Sequence, residues 1–314
     1  MSAVAGIARG KAGQKVRTRT VAVVANAAKS MDGGLLELRK ELEKHGVSDP
    51  QWREVAKSRK APEQVREALE QGAELIFVWG GDGMVQRCVD ALGHSKATMA
   101  ILPAGTANLF ASNLGIPRKL EAAVDLGFNG ERRRFDVGRI NGERFAVMAG
   151  LGFDARVIRD ADKKMKSRLG RSAYIWAATK NLRMKPFQAR IDVEGSKWYD
   201  GEATVILFGN VGNAFGGIEI FDDAHPDDGL LEVGVGNPAG LLQWGRTFAR
   251  ARFSSTSKSP FVRLTKARSI EVTLRRKGLY ELDGGARTKQ KTFRIDVEPA
   301  AVNICVPAKA STSR

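Results

Sequence analysis

Two glycine-rich turns, each placed directly after a short apolar run, constrain the fold of this chain most. The run at 74–79 (ELIFVW) ends in GGDG at 80–83, and the run at 98–102 (TMAIL) ends in PAGTAN at 103–108. Short apolar runs rich in β-branched residues are typical of strands buried in a parallel sheet. Helical spacing follows each turn. The sequence therefore predicts parallel strands whose carboxyl ends bring both loops to one crevice.

The remaining pattern divides the chain into two domains. An apolar strand is predicted at 20–25, and helices are predicted at 35–45, after a loop at 26–34, and from Pro62 to Gly72. Residues 46–60 mark no clear strand. Alternating strands and helices predict a three-layer α/β domain over 20–134. An Asn-Gly pair then predicts a hairpin between 135–140 and 144–149. Further strands are predicted at 188–193, 203–208, 230–235, 269–274 and 292–297, with helices near 160–183 and 238–252. We expect an antiparallel, β-sandwich-like second domain over 135–307, whose last segment can pack back on the first.

Composition narrows the class of protein. Lys and Arg number 51 against 35 Asp and Glu, a formal net charge of +16, which favours an anionic partner or a basic solvated surface. Two cysteines and three histidines exclude a disulfide scaffold and leave little for a zinc cluster. No apolar run has the length of a membrane span, and the basic residues 1–19 lack a secretory signal. We expect 1–19 to be a disordered arm, 308–314 a tail, and the protein to be cytoplasmic.

The two turns also suggest a chemistry. Glycines after a buried strand let backbone N–H groups approach an anion, and the following helix adds its positive dipole end. Asp82, among these donors, is placed to orient a hydroxyl, accept its proton or hold a metal near phosphates. The alternative is that the turns merely reverse the chain. There is no Walker A or G-x-S-x-G motif, and GLGFDA at 150–155 fits a dinucleotide fingerprint only weakly.

These motifs together resemble the diacylglycerol kinase catalytic-domain family, which includes bacterial lipid kinases and sphingosine kinases. GGDG at 80–83 and PAGTAN at 103–108, continuing to LGIP at 114–117, carry the resemblance in the first half. The second half adds GLGFDA at 150–155, Gly170 with Tyr174, Gly209-Asn210, Asp228-Gly229-Leu230 and Leu282-Asp283-Gly284. The motifs follow in order over nearly the whole chain.

The resemblance implies an ATP-dependent lipid kinase with an NAD-kinase-like α/β domain and a β-sandwich lipid domain. The residues that it implies for nucleotide binding are Asn26, Gly80, Gly81, Asp82, Gly83, Gly105, Thr106 and Asn108. It also implies a structural Mg²⁺ at Asp228, with carbonyls near His225 and Leu230, although an ordinary Asp-Gly turn is an equal alternative. Asp82 and Asp283 are the candidates for base or metal-orienting roles.

Several positions depart from the family pattern. The family has Asp-Gly-Glu near its C-terminus, and its glutamate is often assigned as proton acceptor, but this chain has Gly285 there. Met84 replaces a usual Thr, Gln86-Arg87 replaces an Asn-Glu pair, and 27–30 lacks the usual Pro-x-Ser-Gly. A catalytically degenerate nucleotide- or lipid-binding regulator is therefore an alternative to the kinase, and an NAD kinase is a further one.

The expected partners are a lipid substrate and an anionic membrane surface. Basic residues at 163–171 lead into Tyr174, Ile175 and Trp176, a pattern that fits peripheral contact with the inner membrane face or a solvated helix face. No recognised nucleic-acid motif is present, so no nucleic acid is expected. The identity of the lipid and the oligomeric state, for which a homodimer is one option, stay open.

Overall fold

The computed structural model describes residues 20–152, 186–214, 218–237 and 262–308. Within these ranges the helices are α1 (Gly34–Lys44), α2 (Ala61–Glu70), α3 (Asp82–Leu92), α4 (Leu109–Asn113) and α5 (Leu120–Asn129), with a 3₁₀ turn at Ser58–Lys60. The strands of the first half are β1 (Val21–Asn26), β2 (Gln51–Val55), β3 (Leu75–Gly80) and β4 (Thr98–Pro103). The later strands are β5 (Glu131–Ile140), β6 (Glu143–Phe145), β7 (Met148–Leu151), β8 (Phe187–Val193), β9 (Ser196–Ala203), β10 (Val205–Gly209), β11 (Asn213–Ala214), β12 (Ile218–Glu219), β13 (Leu231–Gly236), β14 (Val262–Ala267), β15 (Ser269–Leu282) and β16 (Gly285–Val306).

The first half is a parallel sheet between two helical layers. β1 pairs in parallel with β2 and β3, and β3 pairs in parallel with β4. Alternate residues of these strands face opposite layers, as strand geometry requires. Ile76 and Val78 pack in a core with residues of α2 and α3, whereas Phe77 and Trp79 pack in a second core with residues of α1 and α5. Burial of both faces explains why these strands are continuously apolar.

The second half is antiparallel and shares one large sheet with the first. The strand order of that sheet is β14-β13-β10-β7-β15-β16-β4-β3-β1-β2, with β5, β6, β8 and β9 attached beside this path. β16 pairs with β15 along its first part and with β5 and β4 along its last part, where Asn303 lies opposite Thr98. The last strand thus joins the two halves, and the predicted boundary at 134/135 lies inside β5.

The hairpin predicted around Asn141-Gly142 needs one correction. Its turn and the pairing of β5 with β6 are present, but the strand predicted at 144–149 is broken at residues 146–147. Beyond the break, β7 pairs with β10 and β15 instead of β5. The physical reason is that the Asp283 carboxylate accepts the N–H groups of Ala146 and Val147. These two residues therefore leave the hairpin ladder.

Other differences have simple causes. β2 lies in the segment that marked no strand, because its residues are mostly half-exposed at the edge of the sheet and carry no apolar run. β9 and β14 were also not predicted, because they mix polar and charged residues with few apolar ones. The arm at 1–19 and the helices predicted near 160–183 and 238–252 lie outside the described residues. No helix in the described part of the chain is both long and apolar enough to cross a bilayer.

Gly138 on β5 lies opposite Phe145 on β6, and a methyl group at position 138 would meet the ring Cζ at 2.0 Å. Because Phe145 is fully buried, we expect Gly138→Ala to lower the free energy of unfolding by about 1–3 kcal/mol through overpacking. Gly201→Ala on β9 is the matched control, since its nearest contact would be an ordinary 3.4 Å. Denaturant midpoints measure both variants, and equal midpoints would contradict the packing.

Candidate active site

The two glycine loops meet at the carboxyl ends of β3 and β4. Gly80 lies opposite Pro103 in the parallel ladder, and the loops continue from there side by side. A Cβ on Gly105 would lie 2.4 Å from the Cα of Gly81, and a Cβ on Gly81 would lie 3.1 Å from the Cα of Gly105. Backbone cannot yield by a side-chain rotation, so glycine is required at position 105 and any side chain at position 81 would be tightly packed. The sequence prediction that the loops converge is confirmed by this contact.

Asn108 holds the second loop in shape. Its side chain accepts the N–H of Gly105 at 2.9 Å and donates to the carbonyls of Pro103 and Gly105 at 2.9 and 2.8 Å. The residue is 4% exposed and its φ of 52° lies in the left-handed region, which asparagine tolerates better than most residues. Asn108 therefore positions the loop, while its neighbour Thr106 is exposed.

Asp82 joins the two loops. Its carboxylate accepts the N–H of Asn108 at 3.0 Å and the N–H of Leu109 at the start of α4. It is also the first residue of α3, whose first turn carries no side-chain cap. The first N–H groups of such a helix point outward and favour an anion. Gly83 is exposed next to it, so this end of α3 is accessible.

Asn26 ends β1 beside the first loop. It is nearly buried, and its side-chain oxygen accepts the N–H of Ala28 at 3.1 Å. A Cβ on Gly80 would lie 3.9 Å from the Cβ of Asn26 but only 2.5 Å from that of Met84. Met84 therefore packs directly over Gly80, where the family pattern has a hydroxyl.

Asp283 comes from the turn between β15 and β16 and is 8% exposed. Its carboxylate accepts three backbone N–H groups, from Ala146 at 2.8 Å, Val147 at 2.9 Å and Met148 at 2.8 Å. Burial raises its pKa to about 6, the three N–H bonds oppose that rise, and the negative charge of Asp82 adds to it slightly. Asp82 and Asp283 are the two candidate catalytic carboxylates, one from each half of the chain.

A polar chain connects α3 to this turn. Gln86, 2% exposed, donates to the carbonyl of Arg144 at 2.7 Å and to Glu143 at 3.3 Å, and Glu143 pairs with Arg287 on β16. Burial would raise the pKa of Glu143, but the Arg287 guanidinium outweighs it and the pKa is lowered. A Cβ on Gly285 would meet Arg287 Nη1 at 2.8 Å. Arg287 thus occupies the space beside Gly285.

The residues predicted for magnesium surround Lys266 of β14. One Asp228 oxygen accepts the N–H of Leu230 at 2.9 Å, and the other lies 3.8 Å from the Lys266 ammonium. Lys266 also pairs with Asp223 at 3.0 Å and with Glu232 at 2.9 Å, while the His225 ring lies 3.3 Å from Asp223. In the described ranges no group of three His, Cys, Asp or Glu side chains could hold a metal.

Lys266 decides how well this cluster fits a divalent ion. Its ammonium already supplies the positive charge that the three carboxylates need, and a second cation beside it would be repelled. The hydrogen bond to Lys266 lowers the pKa of Asp223, whereas burial raises that of Glu232. With the Lys266 ammonium beside them, these carboxylates do not fit a magnesium ion. No contact described for Asp228 tests magnesium directly, and magnesium there stays a prediction.

Two buried residues had no role in the sequence prediction. Asn210 donates to the carbonyls of Asp136 and Ala146 at 2.9 Å each, and its side-chain oxygen is buried without a partner among the described residues. Asp136 accepts the N–H groups of Gly229 and Ala300 at 2.7 Å each. Both side chains fix the backbone around Asp283 and Asp228. Gly209-Asn210 is one of the motifs that carry the family resemblance, but the sequence does not reveal that the Asn210 side chain binds the carbonyls of Asp136 and Ala146.

Comparison with known families identifies the chain. The family described as diacylglycerol kinase catalytic domain matches residues 20–140, and the one described as YegS C-terminal NAD kinase beta sandwich-like domain matches residues 147–306. The chain belongs to the diacylglycerol kinase family. The predicted membership and fold class, an NAD-kinase-like α/β domain followed by a β-sandwich-like domain, are confirmed.

Individual relatives give the same result. The chain is 32% identical to "Probable lipid kinase YegS-like" of Enterobacter sp. (strain 638) over 79% of its length and 83% of that protein. It is 31% identical to "Diacylglycerol kinase" of Bacillus subtilis (strain 168) over 71% of its length and 75% of that protein. A crystal structure of a diacylglycerol kinase from Bacillus anthracis str. Sterne has the same fold, with a TM-score of 0.71, 21% identity, and coverage of 93% of this chain and 98% of that one. The chain is thus a member of a lipid kinase family.

Removal of the Asp82 carboxylate tests how the loops are joined. We expect Asp82→Ala to lower the free energy of unfolding by about 1–2 kcal/mol, as loss of a helix cap does, because two amides lose their acceptor. Hydrogen exchange at the amides of Asn108 and Leu109 measures the local effect and should accelerate. Asp125→Ala, at an exposed position of α5, is the control. Unchanged exchange at Asn108 and Leu109 would contradict the joining role.

Proposed function

We propose that this chain transfers the γ-phosphoryl group of ATP to a hydroxyl of a diacylglycerol-like or sphingoid lipid. The observation that carries this proposal is the meeting of the two glycine loops, which the Asp82 carboxylate joins through the amides of Asn108 and Leu109. Membership in a lipid kinase family supports the reaction class.

The nucleotide has a fitting environment at the loops. Gly83 is exposed in the first turn of α3, and a Cβ there would meet nothing closer than Ser58 Oγ at 4.0 Å, so a triphosphate can approach this backbone. The first turn of α3 has no side-chain cap, which favours negative charge beside it. Asp82 fixes the relative position of both loops through the amides of 108 and 109. Positioning of this kind, together with electrostatic stabilisation, provides most of the catalysis of phosphoryl transfer.

The acceptor hydroxyl belongs on the side of the second half. The Asp283 carboxylate is held rigidly by the amides of residues 146–148, so it can orient a hydroxyl beside the nucleotide loops without moving itself. We infer that a hydroxyl held there lies beside the nucleotide loops, because Gln86 of α3 donates to the carbonyl of Arg144, two residues before the first amide that binds Asp283.

A cationic bulge on β15 supports the proposed contact with an anionic membrane on the cytoplasmic side. Between the pairs Thr273–Thr292 and Gly278–Gln290, β15 contains the four residues 274–277 where β16 contains only Lys291. Leu274 points into the core, whereas Arg275, Arg276 and Lys277 are exposed. Lys289 and Lys291 on β16 are exposed beside them. The bulge therefore projects a compact positive surface.

The kinase proposal is tested with labelled ATP, magnesium and micellar diacylglycerol, monoacylglycerol, ceramide and sphingoid base. We expect label in one lipid class. In Gly105→Ala the added methyl would push on the Gly81 backbone, so we expect ATP binding weakened about 10- to 100-fold, the equivalent of about 1–3 kcal/mol of overpacking. Gly201→Ala is the matched control and should retain both binding and activity.

Other outcomes separate the alternatives. ATP binding without label in any lipid would contradict the kinase and favour the regulator, which Gly285 and the neighbouring Arg287 motivate. NADP formation from NAD and ATP would favour an NAD kinase. Failure to bind ATP would contradict the role of both loops.

The membrane proposal is tested by sedimentation with vesicles containing phosphatidylglycerol. The triple variant Arg275→Gln, Arg276→Gln, Lys277→Gln should bind about 100-fold more weakly, because each basic residue near such a surface contributes ~1 kcal/mol. The control, Lys40→Gln, Arg66→Gln, Lys96→Gln, removes the same charge from scattered exposed positions of the first half. Equal loss in both variants would show that net charge, rather than the bulge, governs binding.

A further inference from the structure

Glu281 is a buried carboxylate that the site described above does not use. It lies on β15 two residues before Asp283 and is only 5% exposed. Within the described residues its carboxylate makes no hydrogen bond and no ion pair, unlike Asp283, whose two oxygens are bound by three amides. A buried ionisable group without a partner costs free energy, so packing alone would favour an apolar side chain here.

The strand register shows which way Glu281 faces. Side chains alternate between the two faces of a strand, and Tyr280 and Leu282 point into the core of the second half, so Glu281 points to the opposite face. Asp283 follows directly after the strand, and its N–H donates to the carbonyl of Met148 at 2.9 Å, so β7 still runs beside the chain at this point. The two cross-strand neighbours of Glu281 are Gly150 on β7 and Ala286 on β16. Neither neighbour has a side chain larger than a methyl group, so neither fills the space beside the Glu281 carboxylate.

Asp283 and Glu281 also differ in what their oxygens can do. Both oxygens of Asp283 already accept N–H groups, which fits a group that orients a hydroxyl. Glu281 has no donor in the described residues, so its lone pairs are available to a proton. Two neighbouring carboxylates in different environments are a common way to divide orientation and proton transfer between two residues.

We propose that Glu281 is the proton acceptor for the lipid hydroxyl, a catalytic role that rests on the proposed kinase function. The hydroxyl oxygen forms a bond to the γ-phosphorus of ATP, the bond from that phosphorus to the β–γ bridging oxygen breaks, and ADP leaves with the electron pair. The hydroxyl proton passes to a Glu281 oxygen. The carboxylate absent at Gly285 is thus supplied from the preceding strand, four residues earlier in the sequence.

The ionisation of Glu281 fits this role. Burial raises its pKa to about 7, and the negative charge of Asp283 adds to the rise. Asp283 is the charged group that acts on it directly, and Asp82 acts in turn on Asp283. A proton acceptor must be ionised, so the rate should rise as the pH passes upward through about 7.

The test compares the wild-type enzyme with Glu281→Gln, which preserves shape and removes the charge. With the lipid that the wild type phosphorylates, we expect kcat to fall about 100-fold or more, with ATP affinity and thermal midpoint unchanged. The rise in rate near pH 7 should disappear. Glu281→Asp keeps a carboxylate and should retain intermediate activity, and Glu271→Gln, an exposed position of the same strand, should match the wild type.

The outcomes distinguish failure of the role of Glu281 from failure of the kinase proposal. A kcat in Glu281→Gln within about threefold of the wild type, or a retained pH-dependent rise, overturns the role of Glu281 and leaves the kinase intact. If Glu281→Gln does not fold, a wild-type rate that does not rise near pH 7 overturns it instead, and a rise there together with intermediate activity of Glu281→Asp supports it. Wild-type protein without turnover on any lipid overturns the kinase proposal, and the role of Glu281 with it.

Discussion

The carboxylate of Asp283 bound by the amides of residues 146–148 is the interaction on which the arrangement of the site depends. It breaks the predicted hairpin after β6 and releases β7 to pair with β10 and β15. The same bonds hold the turn between β15 and β16 in place. A single acidic side chain therefore sets the strand pairing and also places the second half of the site. Three amide donors compensate part of the free energy that burial of the charge costs.

The glycine loops have the corresponding function in the first half. The two loops can approach closely because both residues at their contact, Gly81 and Gly105, lack a side chain. Asp82 and Asn108 then fix the contact with hydrogen bonds to the backbone. Both halves thus use an acidic side chain to hold a loop, and the two acidic residues are also the ones that chemistry at the site would use. Stability and activity at these positions are coupled as a result.

The sequence predicted the first half well because its information is local. Continuous apolar strands, a helix beginning near Pro62 and glycines at strand ends follow from periodicity and turn chemistry, and the motifs led to the family. The break at 146–147 could not be predicted, because its cause lies more than 130 residues away at Asp283. The same holds for Glu281, whose isolation depends on Gly150 and Ala286 in neighbouring strands. The contact of Lys266 with Asp228 was not predictable for a similar reason, because the pairing of β14 with β13 brings together residues that are distant in the sequence.

β16 has a consequence for how the protein is made. The edge of β4 is covered by residues near 303, which a ribosome synthesises about two hundred residues after β4 itself. Until then the parallel sheet of the first half has an open edge and exposed apolar surface beside it, the kind of edge that other chains can pair with. The first half therefore completes its sheet only when the chain is almost finished. Contacts of such sequence separation are slow to form, so the nascent protein depends on its final strand for protection against aggregation.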